Sequence, residues 1–147
     1  MSKAPDFVEP FVGWKGLLAD TEGNLYSPAW PTPWPVKEAL VATCERKKHK
    51  PPAQKCTCGI HAVKTFEDLR DHHYNWGESE EGKIWVLAEI NLWGRIRPGR
   101  IGYRAQYAYP KRVFVPVHKV QLPLAVRIRE RYCVPIGIVD RFSGRRT

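Results

Sequence analysis

The sequence contains no apolar run of about 18 residues, the length that suggests a membrane-spanning helix. Residues 1–9 also lack the apolar centre of a secretory signal. We therefore expect a soluble, cytoplasmic protein with no membrane association. Because thiols stay reduced in the cytoplasm, the clustering of three of the four cysteines indicates metal ligands and not disulfides.

Familiar catalytic motifs are also missing. The sequence has no glycine-rich phosphate loop, no nucleophile elbow and no His-x-Glu…Pro-Cys-x-x-Cys deaminase arrangement. His72 and His73 are adjacent, so their rings would point apart on a helix and would not serve one site. Glu89 lies near Arg95 and Arg104 in the predicted sheet, where an ion pair explains it better than a general base does. We predict no catalytic residue and expect a binding protein more than an enzyme.

Long helices are not expected either, since the 147 residues include 13 prolines and 11 glycines, which favour turns. This length suits one domain with one core. The predicted fold class is α+β: a β-rich, partly closed antiparallel sheet or barrel with two short helices and a zinc-binding loop. Within the single domain, residues 1–147, we distinguish a metal loop (residues 44–61), a central hairpin (84–109) and a loose basic tail (141–147).

Local patterns predict further elements on both sides of the metal loop. These are a hairpin at 11–19 and 24–27, a short element of undetermined type at 36–43, helices at 66–73 and 124–132, an edge strand at 113–117 and a last strand at 136–139. The proline-rich segment 28–35 carries Trp30 and Trp34. Burial of both rings in the core explains this segment better than a proline-rich ligand motif does.

The central hairpin has the clearest pattern. From residue 84 to 96, apolar side chains alternate with polar ones, which is typical of a strand with one buried face. A turn at Pro98-Gly99 leads into a return strand at 101–109, with a wider loop as the alternative because Pro-Gly favours a type II turn. A tip at Pro98-Gly99 predicts these opposing pairs: Leu92 with Ala105, Ile90 with Tyr107, Ile96 with Ile101, Trp93 with Arg104 and Asn91 with Gln106.

The metal loop combines thiols and imidazoles at short spacings. Zn²⁺ takes four soft or borderline ligands in a tetrahedron. Cys56 and Cys58 stand two residues apart, so both sulfurs point to one side of an extended backbone, and Gly59 allows a tight turn after them. Cys44 supplies a third thiolate from the other arm of the loop. With His49 as the fourth ligand the protein closes the site, so the predicted Zn²⁺ is structural.

Spacing alone leaves the fourth ligand open. His49 lies inside the loop and is preferred, His61 is the main alternative, and Cys133, His72 and His73 are further candidates. The alternative for the whole group is ordinary thiols and solvated imidazoles, because this spacing is not a standard CxxC…CxxC pair.

Charge is distributed unevenly along the chain, whose formal net charge is +9. Residues 75–147 contain 14 Lys and Arg against 6 Asp and Glu, a net charge of +8. In the predicted register one sheet face carries Trp93, Arg95, Arg97 and Arg104. An aromatic ring beside arginines can hold nucleic acid through base stacking and phosphate contacts, so nucleic acid is the expected partner. An acidic host protein is one alternative; in the other, the 124–132 helix covers Trp93 and the arginines only solvate a rim.

Several motifs together resemble a family of small proteins from actinobacteria and their phages. They are Cys44-x4-His49-x-Pro51-x4-Cys56-x-Cys58-Gly59-Ile60, Leu92-Trp93-Gly94, Gly102-Tyr103-Arg104-Ala105-x2-Ala108-Tyr109-Pro110, Trp14, and Tyr132-x-Val134-Pro135. The resemblance spans roughly residues 12 to 139. It implies a metal site at these cysteines, favours His49 over His61 and suggests a phage or mobile-element origin. It carries over no catalytic residue.

Overall fold

Apolar and polar side chains alternate through much of the chain, and the backbone accordingly forms strands. The computed structural model describes residues 11–28, 30–44, 49–73, 79–116 and 122–139. Within these residues there are eight strands and two helices. In chain order they are β1 (Phe11–Ala19), β2 (Leu25–Tyr26), β3 (Leu40–Val41), β4 (Ile60–Val63), α1 (Phe66–His73), β5 (Ser79–Glu80), β6 (Lys83–Pro98), β7 (Gly102–Pro116), α2 (Leu122–Tyr132) and β8 (Ile136–Val139).

Strand β1 closes part of the sheet because it pairs along both of its edges. All nine of its residues pair antiparallel with β6, whereas it meets β4 only where Trp14 lies opposite Val63. Strand β4 pairs with β7, and β7 pairs with β6, so four strands return to their starting point. Since the β1–β4 contact is so short, the sheet is partly ring-closed and is not a barrel. The predicted β-rich, partly closed fold with two helices is thereby confirmed.

The core lies where the inward side chains of this ring meet α2. Among the core residues that lose all solvent contact are Leu17, Leu25, Ile90, Leu92, Val113, Ile128 and Tyr132. Burial of one large apolar side chain contributes about 1.5–3 kcal/mol. Packing of Ile128 and Tyr132 therefore holds α2 against the strands, although its charged outer face carries Arg129 and Glu130.

Tyr132 also connects α2 to the proline-rich segment through hydrogen bonds. Its hydroxyl donates to the carbonyl of Trp34 at 2.9 Å and accepts the backbone N–H of Leu25 at 3.0 Å. Burial raises the pKa of Tyr132 to about 12, so the hydroxyl keeps its proton and continues to donate. Trp34 is 2% exposed, as expected, but Trp30 is 48% exposed. Burial of both tryptophans was therefore the right prediction for Trp34 and the wrong one for Trp30.

The predicted register of the central hairpin is wrong, for two physical reasons. First, Pro98 pairs with Tyr103, so the connection runs through residues 99–102 and is wider than a two-residue tip. Second, a bulge separates the pair Trp93–Tyr107 from the pair Ile96–Ala105. In consequence Leu92 lies opposite Ala108, Ile90 opposite Pro110, Asn91 opposite Tyr109 and Arg97 opposite Arg104. The predicted opposing residue pairs are therefore wrong, and the wider loop, which was the alternative to a two-residue tip, is confirmed.

Gly94 makes this bulge possible. Its φ angle is +78°, and a Cβ built there would come within 2.6 Å of the Tyr107 ring. The backbone N–H of Arg95 donates to the side-chain oxygen of Gln106 at 2.9 Å. A side chain thus supplies an acceptor for a backbone N–H at the bulge, where regular pairing is interrupted.

The remaining predicted elements are largely present, with one more error. Helix α1 begins after Thr65, whose hydroxyl accepts the Asp68 backbone N–H at 3.1 Å, and the predicted last strand is β8. Val113 does not start an edge strand, because β7 continues through it between β6 and the parallel strand β8. The tail at 141–147 lies outside the described residues. In the part of the chain that is described, neither helix is long and apolar enough to cross a membrane.

Candidate metal centre

The described part of the metal loop has no regular secondary structure and few buried side chains to stabilise it. Between Cys44 and β4, no described residue belongs to a strand or helix, and the buried residues are the two prolines Pro51 and Pro52. Gly59 ends the loop with a φ angle of +119° and passes close to its neighbours. A Cβ at Gly59 would lie 3.0 Å from Pro52 Cβ and 3.1 Å from Arg104 Cβ, so a larger residue would push the loop off the sheet.

The four predicted ligands come together in this loop. The ligand atoms of Cys44, His49, Cys56 and Cys58 all lie within 4.8 Å of one another, and each residue is half-buried. Cys44 Sγ lies 3.7 Å from Cys56 Sγ, and His49 Nε2 lies 3.3 Å from Cys58 Sγ. Metal–sulfur bonds of about 2.3 Å in a tetrahedron place two sulfurs about 3.8 Å apart. The four residues therefore lie close enough to hold a metal ion.

Thiol acidity in the group is uneven. The pKa of Cys56 is lowered to about 6, chiefly because the backbone N–H of Cys58 donates to its sulfur. Desolvation raises the pKa of Cys58 instead. Since thiolates are the species that bind metal, Cys56 is the sulfur best prepared to act as a ligand near neutral pH.

The alternative ligands do not join this group within the described residues. His61 uses its Nε2–H to donate to the Thr57 carbonyl at 2.7 Å, on the outer side of β4. Cys133 is exposed at the end of α2, with its sulfur 3.8 Å from the Glu130 carbonyl. The side chains of His72 and His73 lie outside the described residues. Of the candidate fourth ligands that can be located, His49 alone lies beside the three sulfurs.

Two arginines of the central hairpin hold the metal loop through hydrogen bonds to its backbone carbonyls. Arg104 Nη1 donates to the carbonyls of Ala53 (3.1 Å), Cys58 (2.9 Å) and Cys56. Arg97 Nε donates to the Pro52 carbonyl at 3.2 Å. Both arginines are half-buried, so Arg97 and Arg104 support the metal loop and do not stand free on the predicted binding face. Sequence spacing carries no signal for this contact, because it joins residues 46 to 51 positions apart.

The predicted binding face is consequently divided. Trp93 is partly buried against the core and stacks on Tyr107 with ring centroids 5.9 Å apart, and Arg95 beside them is exposed. We call Trp93, Arg95 and Tyr107 the hairpin surface. Glu89 does form an ion pair, at 3.7 Å, but its partner is Arg112 and not Arg95 or Arg104.

Sequence reasoning missed a cleft that lies next to the metal loop. It has a volume of about 780 Å³ and is bordered by β1, β4, β7, both ends of β6, α1 and the metal loop. Four basic side chains line it: Lys15, His61, Arg97 and Arg104. Periodicity could have pointed to Lys15, because it occupies an inward position of β1 between Gly13 and Leu17.

Lys15 is unusual because its neighbours across the sheet are apolar. It pairs with Ala88, which is fully buried, and its Nζ donates to the His61 carbonyl at 2.8 Å. Burial lowers the pKa of Lys15 to about 8. Burial also lowers the pKa of His61; its hydrogen bond to Thr57 opposes this, while the charges of Lys15 and Arg104 lower the pKa further. Because Lys15, Arg97 and Arg104 line the cleft and none of its described lining residues is acidic, the cleft has a positive potential.

Comparison of the chain with protein-family profiles, curated proteins and solved structures gives no match. The resemblance to the actinobacterial and phage family therefore stays a prediction, and function must be argued from the sites themselves.

Proposed function

We propose that this protein is a zinc-stabilised, basic module that binds nucleic acid through the hairpin surface. The observation that carries the proposal is a stacked Trp93–Tyr107 pair beside exposed Arg95. Stacking rings and a neighbouring cation are the two contacts that single-stranded nucleic acid needs.

Zinc is the metal that suits the cluster best. Three thiols and one imidazole are soft or borderline donors, which disfavours Mg²⁺ and Ca²⁺. A Cys₃His set is a common structural zinc site, and four protein ligands leave no open position for a substrate. The zinc would therefore stabilise the fold, and Cys44, His49, Cys56 and Cys58 would be its ligands.

The charge around the hairpin surface supports an anionic partner. No acidic residue occurs in the sequence between Glu89 and Glu130. Glu89 itself is paired with Arg112. A polyanion approaching the hairpin would thus meet cations such as Arg95 and Arg100, and the stretch of chain that carries them contains no carboxylate to repel it.

Fluorescence anisotropy with a labelled single-stranded oligonucleotide tests the proposal, with salt varied from 50 to 200 mM as in counterion-release measurements. Arg95→Ala should weaken binding several-fold and make the salt slope shallower by about one. Trp93→Leu should cost about 1–3 kcal/mol of binding through lost stacking, once its melting curve shows that it folds.

The matched control is Arg129→Ala, which removes the same charge from the exposed face of α2. It should bind nearly as well as the unchanged protein. Absence of oligonucleotide binding at low salt, or equal losses in the Arg95 and Arg129 variants, would overturn the proposal. Stoichiometric capture of an acidic protein that survives nuclease treatment would then favour the alternative of a protein partner.

A further inference from the structure

We propose that the cleft binds a nucleoside monophosphate unit, with its phosphate held by Lys15, Arg97 and Arg104 and its base against Trp14 and Tyr103. This site is separate from the hairpin surface and does not rest on the function proposed above. The unit could be a free nucleotide or the 5′-phosphorylated end of a strand, and the two sources present the same chemistry.

The charge of the cleft calls for an anion. The described residues that line the cleft include the cations Lys15, Arg97 and Arg104 and no acidic residue. A partly buried ammonium is ordinarily compensated by a carboxylate. The Lys15 Nζ has three hydrogens, and among the described residues its one hydrogen-bond acceptor is a neutral carbonyl, that of His61. Burial lowers the pKa of Lys15, and a phosphate beside it would supply the missing negative charge and favour the charged ammonium.

The two arginines keep donors available for such a phosphate. Arg104 holds the metal loop through Nη1, and Arg97 holds it through Nε. Within the described part of the chain, the Nη2 group of each makes no hydrogen bond. Because loop carbonyls already orient both guanidinium groups, a phosphate would meet donors that are fixed in place.

The walls and size of the cleft call for a planar ring attached to the anion. Trp14 and Tyr103 line the cleft, and most of its surface is apolar. Its volume of about 780 Å³ falls within the range of about 300–1,000 Å³ found for small-molecule sites. An inorganic anion would leave these aromatic walls unused, and an apolar ligand would leave the cations uncompensated. A nucleotide supplies a planar base for the aromatic rings and a phosphate for the cations.

Isothermal titration with AMP, UMP, adenosine and inorganic phosphate tests the proposal directly. AMP or UMP should bind with a Kd well below 1 mM, at least about tenfold more tightly than adenosine or phosphate alone. A 5′-phosphorylated hexanucleotide, compared with its 5′-hydroxyl form, distinguishes the sources. Preference for the phosphorylated strand over AMP assigns the site to nucleic acid ends, and the reverse assigns it to free nucleotides.

Lys15→Met should weaken AMP binding at least about tenfold, because it keeps an unbranched side chain of similar length but removes its charge. Lys83→Met is the matched control; Lys83 lies over the Tyr26 ring and does not line the cleft. Arg95→Ala, which tests the hairpin surface, should leave AMP affinity unchanged, so the failure of either proposal is recognisable separately.

Amide chemical shifts of the unmodified protein provide a readout that needs no variant. AMP should shift Gly16, Ala62 and Gly102 of the cleft and leave Gln106 of the hairpin bulge in place. No saturable shift, equal binding of phosphate and AMP, or equal AMP affinity in folded Lys15→Met would each overturn the proposal.

Discussion

The metal loop and the central hairpin are held together in opposite ways. In the hairpin, β6 and β7 pair at ten positions and bury Leu92 and Ala105 without solvent contact. The described loop residues from 49 to 59 have no strand pairing, and side chains hold them: four potential ligands within the loop and two arginines from outside.

This difference implies a one-sided dependence. The hairpin has its own pairing and core contacts, so it should survive without the loop. The loop relies on Arg97 and Arg104, which the hairpin places side by side as a cross-strand pair. Both arginines also border the cleft. The metal site, the hairpin and the cleft thus share two side chains, and each region can be perturbed through them.

Metal removal should produce the largest effect and should be strongest in the loop. Structural zinc contributes on the order of 10 kcal/mol to the folding of zinc-finger peptides, so chelation should lower the melting temperature by more than about 10 °C. Elemental analysis should find one zinc per chain, and Cys56→Ser should lose it. Cys133→Ser, the control thiol at the end of α2, should keep both zinc and melting temperature. Zinc retained in His49→Ala but lost in His61→Ala would show that the fourth ligand is wrong.

Replacement of Arg104 should separate the two regions. Arg104→Ala removes three hydrogen bonds to loop carbonyls, and groups that position metal ligands typically change metal affinity by about 10–100-fold. Competition with a chromogenic chelator measures this loss. Arg104→Lys should restore little, because an ammonium cannot reproduce the guanidinium fork. Unchanged zinc affinity in Arg104→Ala would mean that the loop supports itself.

Replacement of Lys15 should raise the melting temperature, by less than metal removal lowers it. Burial lowers the pKa of Lys15 from 10.5 to about 8. Below pH 8 the folded state therefore holds a charged ammonium away from water, which lowers the free energy of unfolding. Lys15→Met should therefore melt a few degrees higher than the unchanged protein at pH 7, as expected when a binding residue is replaced by an apolar one.

The pH dependence follows from the same shift. Between pH 8 and 10.5 the unfolded chain binds this proton and the folded chain does not, so the stability of the unchanged protein rises with pH. The advantage of Lys15→Met should shrink over that interval. A constant difference from pH 7 to 10.5 would contradict the assignment of the lowered pKa to Lys15.

The sequence correctly predicted those features that depend on residues close together in the chain. The alternation in β6, the cap at Thr65 and the spacing of Cys56, Cys58 and Gly59 each depend on neighbouring residues, and each corresponds to a feature of the structure. The hairpin register depended on a loop width and a bulge at Gly94, neither of which alternation can reveal.

Contacts between distant residues were decided by the tertiary structure. Arg104 reaches carbonyls about fifty residues away in sequence, and only the fold determines that Trp34 is buried while Trp30 is exposed. The cleft arises because β1 and β4 meet at a single pair, which lets the Lys15 ammonium reach the His61 carbonyl. The sequence by itself determined the strand-rich fold and the group of potential ligands, because periodicity and short spacing are local. The tertiary structure alone decided which arginines hold the metal loop and where a partly buried cation lines a cleft, because both depend on how the sheet closes.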